Sequence, residues 1–525
     1  MSTTWGNAGA AAGTPSRADT VWDRRFWICL AGITLLTAGY IRYLSPGLFP
    51  DEAYFWDLSR RLQLSYVEKP PLVNYLIRAT TGLVGSTEFG VRAGALLTFA
   101  LFSWITYRFG RQILPSARDA FLLTLLIAVA PMPSAARAII TPDSLLMVTW
   151  AAAVWGLYQA ILGDGRGRWW LLAAAGLAVG LMAKYTIAFI IPCLAGFLLS
   201  SHERRRWLRR PAPYLAVSAG LLGLLPSIIW NAGNHWITWR HMLWQANVEG
   251  GIGINPVTFL KFAGSQFAVL SPLLFLGLVA GMIWAGRHSL SPGRDREAFL
   301  FWFSGPILAI FVLKSLQGNT LANWAAVSYF TGAYAMALWF RERVTRASGQ
   351  SRRRLVGWAR ATYLTAALFT LLAHDVSALA LAGLPKAVEW DPARRAVGWR
   401  ELGQEAGRAA RELSRDGPTF LFASRYEVTS ELAFYVPGQP RVYSVNWGRR
   451  ETQYDYWDDV RPLPRHHAVF ADQGDIPTPP RLRALFASCE KLPPVIVMRH
   501  GVPARTYSLF SCRAFRGLTR ETPSP

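Results

Sequence analysis

Eleven apolar runs, each close to the length of a bilayer-crossing helix, recur between residues 26 and 384. A chain patterned this way must bury those runs in lipid or against one another, with their backbone polar groups paired internally. The runs occupy 26–44, 91–109, 120–138, 144–162, 169–183, 186–200, 213–230, 259–285, 298–313, 321–340 and 355–384. The two that flank Lys184 are short and meet with almost no loop. Arginines mark alternate connections. Arg17, Arg24 and Arg25 precede the first run, Arg108, Arg111 and Arg118 follow the second, and Arg166 and Arg168 follow the fourth. Arg204, Arg205, Arg206, Arg209 and Arg210 follow the sixth, Arg287, Arg294 and Arg296 the eighth, and a cluster from Arg341 to Arg354 the tenth. Every even connection is basic, so the positive-inside rule puts these loops and the N-terminus in the cytoplasm and the polar tail on the outer side. Residues 1–20 carry no cleavable signal pattern, which makes the first run an anchor.

The net charge of +23 raises nucleic-acid binding as an alternative. Its arginines, however, stand in short clusters between apolar runs and not on one amphipathic face, so no nucleic-acid partner is expected. With 52% apolar and 17% charged residues, a disordered or coiled-coil chain is also excluded. The expected architecture is an all-α polytopic membrane protein of about eleven spans with a small C-terminal α/β domain. Its divisions are a cytoplasmic tail at 1–25, a transmembrane domain at 26–384 with a first outer loop at 45–90, and an outer domain at 385–525. In that tail, 419–423, 441–445, 468–471 and 495–498 read as strands, and 400–415 and 430–435 as helices. Cys489 and Cys512 lie there, where an oxidising compartment would let them pair.

The topology turns scattered polar residues into a set. Asp51, Glu52, Glu68, Lys69, Arg137, Asp143, Lys184, Lys314 and Asn323 all fall at or near the outer ends of runs. Ionisable groups at membrane depth are costly and turn inward to a cavity or a partner. For any one lysine, snorkelling to the headgroups is the plain alternative, and Asp51–Glu52 behind Pro50 also reads as an acidic helix start. Taken together, carboxylates and cations open to the outer leaflet suit a ligand with a lipid tail and a phosphate head. A carboxylate would serve as general base on an acceptor, and a lysine or arginine would hold the phosphate.

The segments FPDEAYFWDLSRRL, YVEKPPL, TPDSLLM, MAKYTIAFIIP, IIWNAGNHW and ANWAAVSY occur in this order. They resemble the bacterial glycosyltransferase family 39/83 group, relatives of protein O-mannosyltransferases and of the lipid A aminoarabinose transferase, within the C-type glycosyltransferase superfamily. The resemblance covers residues 26–340. It implies inverting transfer of a sugar from a polyprenyl-phosphate donor to an envelope acceptor, a glycolipid such as lipid A or a protein, at the outer face of the bacterial inner membrane. It implies catalytic roles for Asp51, Glu52 and Asp143, and donor-phosphate contacts for Lys69 and Lys184. It leaves Glu68, Arg137, Lys314 and Asn323 to position donor, acceptor or metal. Glu68 and Lys69 match the Glu-Lys-Pro of the aminoarabinose enzyme, in which the resemblance implies that the glutamate lies near a bound metal. No histidine ligand can be placed here beyond the candidates His235 and His241, so a divalent metal stays open and no cofactor is expected with certainty. The loop at 62–67 is shorter than in the aminoarabinose enzyme, which points to a different acceptor. The segment 448–459 is either a sugar-facing surface or the core and rim of the tail domain. The rival reading, a transporter or flippase for a polyprenyl-linked lipid, would show inverted repeats with broken helices, and the sequence shows no such symmetry.

Overall fold

Proline placement decides where the apolar runs stop being single helices. A proline removes a backbone donor and pushes the residue before it out of the α region. In the computed structural model, which describes residues 17–245, 253–457, 460 and 463–517, the run at 120–138 divides at Ala130 into Ala117–Val129 and Pro131–Ala138, bent by 69°. The run at 259–285 divides at Ser271, whose φ is 78°, into Pro256–Leu270 and Pro272–His288, bent by 107°. Among the described residues, six helices are long and apolar enough to cross a membrane, or up to eight if each bent pair is one span. Gly167–Ala183 and Tyr185–Leu199 are apolar but shorter. The last run ends as an α-helix at His374 and continues as a 3-10 helix, Val376–Ala382. The eleven runs are therefore helical in substance, with breaks that hydropathy does not register.

By compactness the chain divides into two units. One comprises Met1–Gly39, Lys69–Leu72 and Ala95–Leu371; the other comprises Tyr40–Glu68, Val73–Gly94 and Leu372–Pro525. The first outer loop thus folds largely with the tail, although chain order places it among the helices.

The first unit is helical. Its core gathers Phe109, Trp150, Phe197, Phe299, Phe303 and Tyr334, all fully buried. Small residues set its closest helix pairs. A side chain at Gly156 would meet the backbone of Ala173 at 2.7 Å, and one at Gly176 would meet that of Ala153 at 2.8 Å. Pro142–Ile161 and Gly167–Ala183 consequently pack backbone to backbone, as small residues permit in membranes. Many leucines point outward, among them Leu36, Leu171, Leu215 and Leu313. Lipid tails would cover them.

The second unit carries a mixed sheet. Its strands are β1 (Thr419–Ala423), β2 (Val442–Ser444), β3 (His467–Gln473), β4 (Phe486–Lys491), β5 (Val495–Arg499) and β6 (Val502–Phe515). Their order is β2-β1-β3-β6-β4, with β5 also on β6. β1 lies parallel to β2 and β3, whereas β6 runs antiparallel to β3, β4 and β5. The four expected strands are present at β1, β2, β3 and β5. The helix expected at 400–415 is Trp399–Leu413, and the one at 430–435 begins earlier, as Tyr426–Tyr435. β4 and β6 were not anticipated, because arginines and Pro503 interrupt the apolar alternation of β6. Cys489 and Cys512 face each other across β4 and β6 and form a disulfide.

The cross-link spans a sequence separation of 23 residues. Cys489→Ser combined with Cys512→Ser should destabilise this unit by about 2–4 kcal/mol. The check is a thermal melt of purified protein, oxidised and reduced. Identical transitions for wild type and the double variant would refute a stabilising role.

Candidate active site

Two antiparallel helices bring opposite charges together. Asp143 sits in the first turn of Pro142–Ile161, behind Pro142, where the helix dipole favours an anion. Lys184 caps the C-terminal end of Gly167–Ala183, where the dipole favours a cation. A short turn joins the helices, so the start of one lies beside the end of the other. Lys184 Nζ accordingly donates to Asp143 Oδ1 at 2.7 Å. Asn323, in the 3-10 turn Ala322–Ala325, donates its amide to Asp143 Oδ2 at 2.9 Å. Three of the nine residues grouped from the sequence thus meet at the Asp143 carboxylate. Both charged side chains keep partial exposure, 25% for Lys184 and 19% for Asp143. They remain reachable by a ligand.

Asp143 and Asn323 line one end of a cavity of about 260 Å³. Its walls are otherwise almost wholly apolar, including Phe99, Phe102, Leu126, Leu274 and Phe330. Tyr329, also on the wall, donates to Gln266 Oε1 at 2.6 Å and so turns its hydroxyl away to a buried partner. Arg137 lies in Pro131–Ala138 and is held by Thr37 Oγ1 at 2.9 Å and by the Ala128 carbonyl at 2.5 Å. It does not touch Asp143 by any of these bonds. Lys314 stands in the last turn of Gly305–Gln317. Lys69 belongs to this unit through the short segment Lys69–Leu72 and is half-buried.

Asp51, Glu52 and Glu68 belong to the second unit. The helix Pro50–Ser59 starts with proline at its first position, and Glu52 reaches back to accept the Phe49 N–H at 3.0 Å. Glu52 is also fully buried in an ion pair with Arg92, at 2.6 Å. Arg92 spends its remaining donors on Ser45 Oγ and the Gly47 carbonyl, each at 2.9 Å. Gly47 must be glycine here, since a side chain would fall 2.8 Å from the Ala396 carbonyl and the Tyr435 hydroxyl. Asp51, one residue earlier, points elsewhere and accepts from the Tyr426 hydroxyl at 3.1 Å. Burial, then the nearby Asp51 and Glu427 charges, push the Tyr426 phenol far above its ordinary range, so it stays protonated and donates. Glu68 accepts from the Tyr54 hydroxyl at both oxygens, 3.0 and 3.2 Å. Burial and the Glu68 charge likewise hold that phenol protonated.

Gln453 and Tyr454, in the segment 448–459, are buried against the first loop. Gln453 Oε1 accepts the Val67 N–H at 2.9 Å, and the Tyr454 hydroxyl donates to Asp57 at 2.8 Å. This part of the segment is core, and Asp458 and Asp459 lie outside the described residues. His235 adopts a left-handed backbone with φ of 54°. Among the described residues, no three His, Cys, Asp or Glu side chains gather as a metal-binding group.

The sequence reading missed Arg92 and Tyr426. Arg92 had a signal, because an arginine inside the outer end of an apolar run needs an acid. Tyr426 had none, standing 375 positions from its partner.

Comparison with known proteins reaches part of the motif-bearing region, and the family match leaves out Asp51, Glu52 and Asn323. The family described as dolichyl-phosphate-mannose-protein mannosyltransferase matches residues 68–230. The lipid A galacturonosyltransferase RgtD of Rhizobium johnstonii is 28% identical over 317 residues, 59% of this chain and 64% of its own. The undecaprenyl phosphate-alpha-4-amino-4-deoxy-L-arabinose arabinosyl transferase of Edwardsiella ictaluri is 26% identical over 350 residues, 62% of this chain and 61% of its own. The chain thus spans about three fifths of the length of these curated relatives. Among solved structures, ArnT from Cupriavidus metallidurans bound to undecaprenyl phosphate superposes with a TM-score of 0.63 at 17% identity, covering 94% of this chain and 98% of that one. The Archaeoglobus fulgidus oligosaccharyltransferase gives 0.53 at 11% identity, covering 86% and 70%. The resemblance read from the motifs is borne out. Over part of its length the chain is similar to these glycosyltransferases, and its fold is like that of ArnT.

Removing one partner of a buried ion pair strands the other charge. Arg92→Met should therefore cost about 3–5 kcal/mol, and adding Glu52→Gln should recover part of the loss. Thermal melts of the two variants in detergent check this. A single variant that melts like wild type would show that the pair does not hold the loop.

Proposed function

We propose that this relative of the C-type glycosyltransferases transfers a sugar from a polyprenyl-phosphate donor to an envelope acceptor at the outer face of the bacterial inner membrane. The observation that carries the reading is the Asp143–Lys184–Asn323 cluster at the polar end of an apolar cavity. A prenyl chain matches the cavity's hydrocarbon walls, and a phosphate matches an ammonium already oriented at its end. Asp143 keeps Lys184 oriented before the donor arrives. When phosphate charge enters, the lysine has a second anion to turn to, and the Asn323 amide can follow it. The names of the relatives support a lipid-phosphate donor and a lipid A-type acceptor. The names of the two curated relatives are those of transferases.

In the reaction, an acceptor oxygen or nitrogen attacks the anomeric carbon from the face opposite the phosphate. The bond from that carbon to the phosphate oxygen breaks, the anomeric configuration inverts, and polyprenyl phosphate leaves. Asp51 is the proposed base for the acceptor proton, with the Tyr426 hydroxyl fixing its orientation. Glu52 is read as its positioning neighbour, because Arg92 and the Phe49 N–H occupy its carboxylate. Lys69 is assigned to the donor phosphate, and Glu68, Arg137 and Lys314 to positioning. The described residues do not offer a three-ligand metal set, and no step here is routed through a metal.

Two observations support the orientation. Arginine clusters recur on alternate connections, as the positive-inside rule expects of cytoplasmic loops, and the Cys489–Cys512 disulfide suits an oxidising outer compartment.

Lys184→Met and Asp51→Asn should each lower sugar transfer at least about a hundredfold while leaving membrane expression intact. The measurement is mass spectrometry of envelope glycolipids from a deletion strain complemented with each variant. Wild-type glycolipid in the Lys184→Met strain would remove Lys184 from the donor site, and in the Asp51→Asn strain would remove Asp51 as base.

A further inference from the structure

A second cavity adjoins the first. It measures about 310 Å³ and is lined by Leu122, Ala337, Phe340, Trp358, Ala359 and Tyr363, among others. Leu123, Leu126 and Met336 belong to both walls. The two cavities therefore meet at those side chains and lie end to end, as two parts of a trench along the helices Ala117–Val129 and Ala326–Arg346. At 1.5 Å per residue, the stretch from Ala326 to Arg341 covers about 22 Å, most of a bilayer's hydrocarbon thickness. One end carries Asp143 and Asn323, and the other carries Arg118, Asp119 and Arg341.

That far end is built for a different headgroup. Arg341 pairs with Asp119, and Asp119 is held in place by Ser116 at the start of its helix. Arg118 stands beside them and stacks over Trp22, which also has Arg25 on its ring at 4.4 Å. Two guanidiniums against one carboxylate leave a net positive charge at the trench mouth. A tryptophan and two arginines at the edge of an apolar slot are the furniture of a headgroup boundary.

We propose that this end of the trench binds an anionic glycerophospholipid, its phosphate on Arg118 and Arg341 and one acyl chain in the slot toward Met336. The occupant is a membrane lipid and not the sugar donor. Its charge complements the two arginines, its chain matches the walls, and the mouth opens where the basic connections gather. The lipid would close the trench from the side opposite the Asp143 cluster. This site is distinct from the donor site of the proposed reaction and does not depend on that reaction being correct.

The test is native mass spectrometry of the purified full chain released from nanodiscs containing equal phosphatidylglycerol and phosphatidylcholine. Wild type should retain phosphatidylglycerol about fivefold over phosphatidylcholine. Arg118→Gln with Arg341→Gln should abolish the preference. Ala337→Trp, which fills the slot and keeps both guanidiniums, should reduce retention of either lipid. Glycerol phosphate added in excess should fail to displace the retained lipid. Equal retention of the two lipids by wild type would overturn the proposal, as would an unchanged preference in the arginine variant, unchanged retention in Ala337→Trp, or displacement by glycerol phosphate.

Discussion

The donor site proposed for the helical unit depends on Asp143 and Lys184 meeting at 2.7 Å. An isolated charge at membrane depth is costly, so each makes the other tolerable. Their meeting is a consequence of helix packing. Gly156 and Gly176 let two consecutive helices approach backbone to backbone, and the short turn between them makes the pair antiparallel. The anion then lies at a helix start and the cation at a helix end, where each dipole favours it. Asn323 completes the arrangement from a third element. The result is a polar cluster of little net charge at the end of a hydrocarbon-lined slot, ready to exchange one anion for another.

The second unit solves a related problem with different chemistry. Its first-loop helix carries two adjacent carboxylates, and their surroundings separate them. Glu52 is buried, capped onto its own helix start and paired with Arg92. Asp51 keeps partial exposure and a single tyrosine hydroxyl. The fully engaged carboxylate holds the loop, and the lightly engaged one keeps lone pairs free for a proton. Tyr54 and Tyr426 are held protonated by burial, so both serve the neighbouring carboxylates as donors.

Much of this was legible in the residues. The apolar runs gave the helices, and six short motifs in order gave the family resemblance that the comparisons bear out. Topology grouped nine polar residues at the outer ends of the runs, and the structure joins three of them, Asp143, Lys184 and Asn323. The bends at Ala130 and Ser271 escaped hydropathy because proline acts on backbone geometry and leaves the average apolarity high. The long strand β6 escaped because its place among three partners tolerates arginines and a proline that disrupt alternation. Arg92 as the partner of Glu52 could have been inferred from the cost of an unpaired charge. The Tyr426–Asp51 contact could not, since only folding brings residues that far apart in the chain together.

The central claim is that a lipid-linked sugar is consumed by this chain. Purified protein in nanodiscs, given a polyprenyl-phosphate sugar and lipid A, should yield lipid A heavier by one sugar, with free polyprenyl phosphate released in equal amount and the anomeric centre inverted. Donor that stays intact beside unmodified acceptor, across a panel of polyprenyl-phosphate pentoses, hexoses and uronic acids and of lipid and protein acceptors, would contradict it.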